Sequence, residues 1–342
     1  MTSNSTSEQV GGVELTDPEL RVMLECGLTQ VEELLRREVQ SEFRFLTETS
    51  LHLADAGGKR FRPLFTLLAG QFGPDGLGQN GRMADVVRAA AVVELVHLAT
   101  LYHDDVMDEA TMRRGAVSAN ARWDNTVAIL TGDFLFAHAS RMVADLGPDA
   151  VRIIASTFAE LVTGQMRETL GAAVGADPVA HYLAVAAEKT GSLIATAGRY
   201  GAMFSGASPE RIAALRRFGE LIGPAFQISD DIIDIASPAA QSGKTPGTDL
   251  REGVRTLPML YALSEGGPGS DRLRVLLAGP LTDDDLIAEA LRLLRESPGL
   301  DRAVRALRSY TDLAHAELAV LPACPARDAL ASVTDYLAAR TG

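Results

Sequence analysis

The chain has 342 residues, of which 46% are hydrophobic and 23% charged, a composition that indicates a folded globular protein and excludes disorder over most of its length. Its 32 basic and 45 acidic residues give a formal net charge of −13, which excludes a broad surface for nucleic acid. Cys26 and Cys324 lie near opposite ends without a CxxC or Cys/His cluster, so neither a disulfide framework nor a zinc site is expected, and a reducing cytoplasmic setting is favoured.

The N-terminal residues 1–12 are polar and rich in Ser, Thr and Gly, and are predicted to form a mobile tail. The chain shows no signal-peptide pattern and no apolar run of about 18 residues, so we expect neither secretion nor a membrane span. From Asp17 onward, apolar residues recur at helical spacing, and the alternation of apolar and polar residues that is typical of strands is absent. Short Gly/Pro loops join these runs and no linker divides them, so the sequence predicts an all-α bundle that forms a single domain over residues 13–342.

The stretch 83–101 is apolar around most of its circumference, which indicates a helix buried at the centre of the bundle. Just after it, Asp104 and Asp108 share one helical face and Asp105 lies beside them. Three carboxylates at a helix C-terminus repel one another and oppose the helix dipole, so a cation is expected, and oxygen ligands without His or Cys suit Mg²⁺. A solvated acidic helix end is the alternative for a single motif of this kind.

The same DDxxD spacing recurs at Asp230, Asp231 and Asp234, again at the end of an apolar helical run. Two helices that each present an aspartate triad favour a multi-metal site for a diphosphate, if the triads face one another across the bundle. The acidic run at residues 283–285 lacks this spacing and is interpreted as the N-terminal cap of a helix.

A basic segment, GGKRFRP, occupies residues 57–63. Its glycines break the preceding helix and Pro63 suits the first position of the next, so Lys59 and Arg62 are expected where a helix N-terminus attracts phosphate. An exposed basic turn is the alternative. Arg113 and Arg114 follow the first triad and add guanidinium forks suited to phosphate oxygens.

His97 lies two helical turns before Asp104 on the same face, and this alignment favours a site residue over a buried core histidine. The segment Gly243-Lys244-Thr245 is similar to the end of a P-loop, but Pro238 stands where the earlier glycine is required, so a P-loop is rejected. These residues together point to Mg²⁺-assisted departure of a diphosphate leaving group.

The chain resembles the trans-isoprenyl diphosphate synthase (polyprenyl synthetase) family from about Gly57 to about Pro258. The matching motifs, in the order of the family, are GGKRFRP, ELVHLATLYHDDVMDEATMRRG, GDFLF, EKTGSLI, FQISDDIID and GKTPGTDLREG. The resemblance implies that residues 13–342 form a polyprenyl synthetase domain, an all-α bundle around a deep central cavity that is generally a homodimer. It also implies ionisation of an allylic diphosphate, attack by the double bond of isopentenyl diphosphate, and loss of a proton.

The family assigns roles to individual positions of this sequence. Two or three Mg²⁺ ions per active site would be held by the two triads, which together with one lysine form the implied catalytic set: Asp104, Asp105, Asp108, Lys189, Asp230, Asp231 and Asp234. The diphosphate of isopentenyl diphosphate would be bound by Lys59, Arg62, His97 and Arg114. The allylic diphosphate would be bound by Arg113, Lys189, Thr190, Gln227 and Lys244. Pro224 departs from the family pattern and is expected to kink the helix of the second motif.

Small residues before the first triad, Val96, Ala99 and Thr100, imply a product longer than geranylgeranyl diphosphate, because in this family bulky residues there close the product cavity. The alternatives are a geranylgeranyl or farnesyl diphosphate synthase, with these small residues serving only close helix packing. Peripheral contact with a membrane during product release is left open. A terpene cyclase is disfavoured because its second metal motif is absent from the sequence. A non-catalytic subunit of a heteromeric synthase should have lost one triad, and this chain keeps both.

Overall fold

The computed structural model describes residues 8–10, 13–77, 81–236 and 246–340. Helices make up nearly all of the regular structure in these ranges, so the predicted all-α fold is confirmed. The chain divides into two compact units. The first extends to Phe158 and adds Leu193–Arg216 and Val320–Leu330, and the second comprises Ala159–Ser192, Arg217–Ala319 and the stretch from Ala331. The single domain over residues 13–342 stays a prediction.

The first unit is built around one long buried helix. Its helices before residue 148 are α1 (Pro18–Glu38), α2 (Arg44–Asp55), α3 (Phe61–Gly70), α4 (Met83–Met107), α5 (Ala119–Arg122) and α6 (Asn125–Ala144). Helix α1 begins where the periodicity predicts, because the Asp17 carboxylate accepts a hydrogen bond from the Leu20 N–H at 2.7 Å. Helices α1, α3 and α6 pack on α4, which confirms the predicted central helix. It continues past residue 101, so the first triad lies within and at the end of α4.

Two short antiparallel ladders depart from the purely helical expectation. Strand β1 (Glu8–Val10) pairs with β2 (Val13–Leu15), and β3 (Met112–Arg113) pairs with β4 (Ala116–Val117). Residues 8–10, which the sequence analysis assigns to a mobile tail, therefore form a strand, and the side chain of Val10 is buried. Strands of two or three residues are too short to show the alternation of apolar and polar side chains by which strands are recognised in a sequence.

The remaining helices are α7 (Pro148–Leu170), α8 (Pro178–Val185), α9 (Ser192–Phe204), α10 (Pro209–Ala236), α11 (Thr248–Glu252), α12 (Leu257–Ser264), α13 (Pro268–Leu276), α14 (Asp284–Glu296), α15 (Pro298–Ala319) and α16 (Pro325–Ala339). A π-helical segment, π1 (Ala186–Gly191), joins α8 to α9. Asp283 caps α14 through hydrogen bonds from the N–H groups of Asp285 and Leu286, as the sequence predicts. Helix α10 continues through Pro224.

Within the described residues, α6 is the helix whose length and composition would allow it to cross a bilayer, with a mean hydropathy of 1.2 over its most apolar window. No such segment is expected from the sequence. Helix α6 also carries Asp133 and Arg141 and packs on α4, and core helices of globular proteins share this length and composition.

Candidate active site

The first triad lies at the C-terminal end of α4, and its three carboxylates differ in exposure. Asp105 is fully buried, Asp104 is half-buried and Asp108 is exposed. Asp108 is the C-terminal cap of α4, and its N–H donates to the Asp104 carbonyl at 2.8 Å. The helix therefore brings the three side chains to one end of the bundle in the first unit, as their spacing predicts.

A tight hairpin carries a guanidinium to this triad. Strands β3 and β4 are joined by Arg114 and Gly115, whose φ angles of 53° and 77° are those of a type I′ turn. The preceding residue, Arg113, donates through Nε to Asp105 Oδ1 at 2.5 Å, and its Nη2 lies 3.6 Å from Asp108 Oδ2. Arg113 is thus engaged with the acidic motif, although the sequence analysis assigns it to the allylic diphosphate.

Asp105 retains one oxygen that the fold does not satisfy. Burial raises the pKa of Asp105 above its ordinary range, and the hydrogen bond and positive charge of Arg113 oppose this shift. Its Oδ2 is buried and has no hydrogen-bond partner. Because a buried carboxylate oxygen without a partner is costly, this atom fits the coordination of a cation.

The segment 57–63 enters helix α3 differently from the sequence prediction. Helix α3 begins at Phe61, so Pro63 occupies its third position rather than its first. The preceding residue, Arg60, has a left-handed backbone with φ of 49°, which is uncommon for a residue other than glycine. Its guanidinium turns into the protein, where it pairs with Glu32 and donates to Glu94 Oε1 at 2.9 Å. Arg60 is therefore a largely buried structural cation.

The predicted ligands of isopentenyl diphosphate have different surroundings. Arg114 donates to the carbonyls of Gly57 at 2.7 Å and Leu53 at 3.1 Å, so it is held against the end of α2. Lys59 is exposed. By contrast, the Nε of Arg62 is buried and without a hydrogen-bond partner. An unpaired buried guanidinium nitrogen fits an anionic ligand.

His97 lies one turn after Glu94 on α4, close to several guanidinium groups. Burial lowers the pKa of His97 well below its ordinary value, and the charges of Arg62 and Arg114 lower it further. The imidazole is therefore neutral at physiological pH and can donate one hydrogen bond without adding charge.

The second triad lies near the end of α10 in the second unit, and again only its middle member is buried. Asp230 is exposed and forms an ion pair with Arg340, just past the end of α16. Asp234 accepts hydrogen bonds from the N–H groups of Thr248 at 3.1 Å and Asp249 at 3.2 Å, at the start of α11. These two predicted metal ligands thus have protein partners that a metal would have to displace or share.

Asp231, the middle member, is held by neutral donors. Its Oδ2 accepts a hydrogen bond of 2.5 Å from the Tyr182 hydroxyl, and its Oδ1 accepts one of 2.9 Å from the Gln227 amide. Burial raises the pKa of Asp231 to about 6, against the opposing effect of these hydrogen bonds. The carboxylate is therefore oriented by side chains that carry no charge.

A cavity of about 500 Å³ in the second unit brings predicted residues together. Its lining includes four residues of the predicted sets together with Tyr182: Lys189, Thr190, Gln227 and Asp231. Lys189 forms an ion pair with Glu168 of α7, which lines the same cavity. Lys244 lies outside the described residues. The expectation that the two triads face one another stays a prediction.

Lys189 and Thr190 lie on π1, a widened helical turn of a kind that often occurs at functional sites. Gly223 of α10 allows this turn to approach closely, since a Cβ built there would come within 2.3 Å of the Gly191 Cα. The neighbouring Pro224 packs beside Gly191, so this departure from the family pattern lies at the same close contact. The sequence shows the glycines and the proline but gives no sign of the π turn.

The predicted chain-length residues lie on α4, where Val96 and Ala99 are fully buried and Thr100 is half-buried. A Cβ built on Gly132 of α6 would come within 3.1 Å of the Ala99 carbonyl oxygen, so the two helices pack closely at this level. This packing is what the alternative interpretation of these small residues requires. Their role in product length stays a prediction.

Several residues that shape the candidate site were missed from the sequence: Glu32, Arg60, Glu94, Glu168, Tyr182 and Arg340. Glu94 had a detectable signal, because an acidic residue within a stretch that is apolar all around needs a cationic partner. Tyr182 and Arg340 gave no detectable signal in the sequence, since their partners Asp231 and Asp230 are distant along the chain.

Comparison with known proteins gives consistent matches along the chain. The sequence pattern of the family described as polyprenyl synthetase matches residues 43–294. Nonaprenyl diphosphate synthase of Mycobacterium tuberculosis is 56% identical over 333 residues, which cover 97% of this chain and 98% of that protein.

Solved structures agree with this match. Geranylgeranyl pyrophosphate synthase from Corynebacterium glutamicum, crystallised with calcium and isoprenyl diphosphate, is 52% identical with a TM-score of 0.87, covering 96% of this chain and 100% of that one. Decaprenyl diphosphate synthase from Rhodobacter capsulatus is 34% identical with a TM-score of 0.83, covering 95% and 99%. With motifs, fold and near full-length relatives in agreement, the chain belongs to the polyprenyl synthetase family.

Proposed function

We propose that this prenyltransferase condenses isopentenyl diphosphate with an allylic diphosphate primer and produces a long-chain all-trans polyprenyl diphosphate. The observation that carries the proposal is a pair of unsatisfied atoms in the first unit. Asp105 Oδ2 and Arg62 Nε are both buried without hydrogen-bond partners, one anionic and one cationic. A fold that leaves both atoms unpaired suits substrates that bring a divalent metal to the carboxylate and a diphosphate to the guanidinium.

A divalent metal fits the donor set, and we propose two or three Mg²⁺ ions held by the two triads. The described residues contain no group of three or more His, Cys, Asp and Glu side chains arranged to enclose a metal ion. Mg²⁺ commonly takes one or two carboxylates and completes its coordination with water and substrate phosphate. When bound, the metal neutralises charge that develops on the departing diphosphate.

Two different sets of side chains would bind the two diphosphate substrates. In the first unit, Arg62 and neutral His97 would bind isopentenyl diphosphate, with Lys59 and Arg114 at the margin of that site. In the second unit, Lys189, Thr190 and Gln227 line one cavity and would hold the allylic diphosphate. Lys189 would exchange its ion pair with Glu168 for phosphate oxygens on binding. The roles of Arg113 and Lys244 toward the allylic substrate remain part of this proposal.

Product length is the finer part of the proposal. Val96, Ala99 and Thr100 present no aromatic ring before the first triad, which supports a long product, and the nonaprenyl synthase relative is consistent with it. The alternative is a geranylgeranyl diphosphate synthase, which is favoured by the Corynebacterium structure at similar identity.

Mass spectrometry of the products made from isopentenyl diphosphate, Mg²⁺ and each allylic primer tests both levels of the proposal. We expect chains longer than geranylgeranyl from the wild type, and farnesyl or geranylgeranyl from Ala99→Tyr. Thr100→Phe provides a second probe, because its half-buried position accepts a ring with less overpacking. Absence of any prenyl product would refute the activity. Long products from both active variants would refute only the placement of the cavity end.

We also propose a cytoplasmic homodimer. Cys26 and Cys324 are free thiols, which suits a reducing compartment. Helix α6 exposes Ile129 and Leu130, at 42% and 59% of their surface, and large exposed apolar side chains on one helix suit a second copy of the chain. Light scattering should give twice the mass of the chain. A monomer at micromolar concentration would contradict the assembly and leave the activity untouched.

A further inference from the structure

Glu94 is a buried carboxylate in a helix that is otherwise apolar at its centre. It lies near the middle of α4 with 1% of its surface exposed, between Val93 and Leu95, which are fully buried. Burial of a charge costs free energy unless the charge is paired and hydrogen-bonded. The partners of Glu94 therefore indicate why this position carries a charge.

Three guanidinium groups surround Glu94, and we call Arg60, Arg62 and Arg114 the arginine cluster. The Glu94 Oε1 accepts a hydrogen bond from Arg60 Nη1 at 2.9 Å and lies 3.8 Å from Arg114 Nη2. Arg62 is close enough for its charge to act on Glu94 as well. Glu32 also pairs with Arg60, so two carboxylates face three guanidiniums. The cluster keeps a net positive charge, which suits a bound anion.

The arginine cluster is held in place by more than charge. Arg60 and Arg114 both have left-handed backbones, with φ angles of 49° and 53°. Such conformations persist in residues other than glycine when the surrounding contacts over-determine them. Arg60 donates to the Ala54 carbonyl at 2.8 Å and Arg114 to the Gly57 carbonyl at 2.7 Å, so both fasten the end of α2. Glu94 contacts both arginines and joins the two anchors.

Two members of the arginine cluster are held by contacts within the protein, and the third has a nitrogen that could bind a ligand. Arg60 donates hydrogen bonds to Glu94 and to a backbone carbonyl, and Arg114 donates to two backbone carbonyls and forms an ion pair with Glu94. By contrast, the buried Nε of Arg62 has no partner. We propose that Glu94 is a positioning residue for the diphosphate of isopentenyl diphosphate: it fixes Arg60 and Arg114 so that Arg62 is left aimed at the ligand. This inference rests on the proposed function, and it adds to it a residue that acts through the arginines.

A change of Glu94→Gln separates positioning from charge, because the two effects have opposite signs. Glutamine keeps the shape of the side chain and removes one negative charge from the site. If Glu94 only moderates the positive potential, its loss should tighten the binding of an anion. If Glu94 positions the cluster, binding should weaken although the site has become more positive.

The experiment measures the affinity of the full-length protein for isopentenyl diphosphate by calorimetry at fixed ionic strength, together with steady-state kinetics. We expect Glu94→Gln to weaken binding about tenfold or more and to raise KM for isopentenyl diphosphate by a similar factor, while KM for the allylic primer stays within about threefold. Glu32→Gln is the matched control, because it also removes a carboxylate from Arg60 but leaves both contacts of Glu94. It should change binding less than about threefold. Arg62→Ala sets the scale for loss of the ligand contact itself.

A more conservative variant covers the case in which Glu94→Gln does not fold. Glu94→Asp keeps the negative charge, so the variant should fold. Its carboxylate is withdrawn by one methylene from the arginines, so it should bind isopentenyl diphosphate more weakly than the wild type does. Unchanged or tighter binding by either folded variant overturns the inference. An equal loss in Glu32→Gln also overturns it, because the effect would then be general. A wild type that does not bind isopentenyl diphosphate refutes the proposed function instead.

Discussion

The two aspartate motifs share one spacing but are held by different chemistry. In the first motif, the buried Asp105 pairs with the guanidinium of Arg113. In the second, the buried Asp231 accepts hydrogen bonds from the uncharged Tyr182 and Gln227. In the second motif the arginine, Arg340, pairs with the exposed first aspartate, Asp230, and not with the buried middle one. Equal sequence motifs therefore do not imply equal electrostatic surroundings.

This difference indicates which member of each triad anchors the motif. The middle aspartate is buried in both units, and its hydrogen bonds fix its orientation. The flanking aspartates are more exposed to solvent than the middle ones. We therefore expect the flanking residues to carry much of the metal affinity together with the unsatisfied Oδ2 of Asp105, while the hydrogen bonds of the middle residues fix the geometry that the metal meets.

The largest expected effect follows from removing a flanking carboxylate. Asp104→Ala and Asp230→Ala should each lower kcat at least about a hundredfold, because each removes an accessible ligand from a site whose charge must be balanced around a diphosphate. Steady-state assays at saturating substrates and Mg²⁺ measure this. The unfolding temperature should change little, which separates loss of a ligand from loss of the fold. Near-normal turnover in either variant, or normal wild-type turnover in excess EDTA, would contradict the two-motif metal site.

A smaller effect should follow from removing the uncharged hydrogen-bond donor of the second motif, the Tyr182 hydroxyl, which we call the neutral anchor. Tyr182→Phe deletes the hydroxyl that donates to Asp231 at 2.5 Å, and should lower kcat about tenfold while KM for isopentenyl diphosphate is unchanged. Tyr200→Phe is the control, since it removes another buried hydroxyl, bonded to the Ala150 carbonyl at 2.6 Å, without touching a triad. If both variants lose activity equally, Tyr182 has no specific role at the motif.

The fold could be predicted from the sequence because its determinants are local. The apolar circumference of residues 83–101 indicated a central helix, the helical periodicity from Asp17 onward indicated the first helix, and the acidic run at residues 283–285 indicated a helix start through capping chemistry that acts over three residues. The same periodicity could not resolve three-residue strands or the π turn at Lys189. The first position of α3 was misplaced because the left-handed backbone of Arg60 is set by tertiary ion pairs rather than by Pro63.

The candidate site was predictable only as a set of residue types. The motifs gave the aspartates, the basic segment and His97, but they could not show which charges the protein itself satisfies. Arg113 and Arg114 are adjacent in sequence, yet the turn between β3 and β4 directs one to Asp105 and the other to the Gly57 carbonyl. These partners lie 8 and 57 positions away in the chain, and both pairings depend on the turn, so they follow from the fold alone.

Asp231 offers a stability test of the neutral anchor, to be made in EDTA. Its pKa of about 6 lies above its ordinary value of 3.8, so between these two pH values the folded state binds more protons than the unfolded state. The stability of the wild type should therefore fall as pH rises through this window, and Asp231→Asn should remove that contribution. The unfolding temperature of the variant relative to the wild type should thus increase by a few degrees, about 2–4 °C, from pH 4 to pH 7. A difference that does not vary with pH would place the folded pKa of Asp231 near its ordinary value.

The smallest expected effect concerns the arginine on the second motif. Arg340 pairs with Asp230, a side chain that is 56% exposed, so water and salt screen the attraction. A cation on Asp230 nevertheless competes with a metal for the same oxygens, and removing it should favour the metal. Arg340→Gln should lower the half-saturating Mg²⁺ concentration about two- to threefold, and Mn²⁺ titration followed by electron paramagnetic resonance should show the same shift without substrate. Arg340→Lys retains the charge and should behave as the wild type. An increased Mg²⁺ requirement in Arg340→Gln would instead mean that Arg340 orients Asp230 for the metal, as Arg113 orients Asp105.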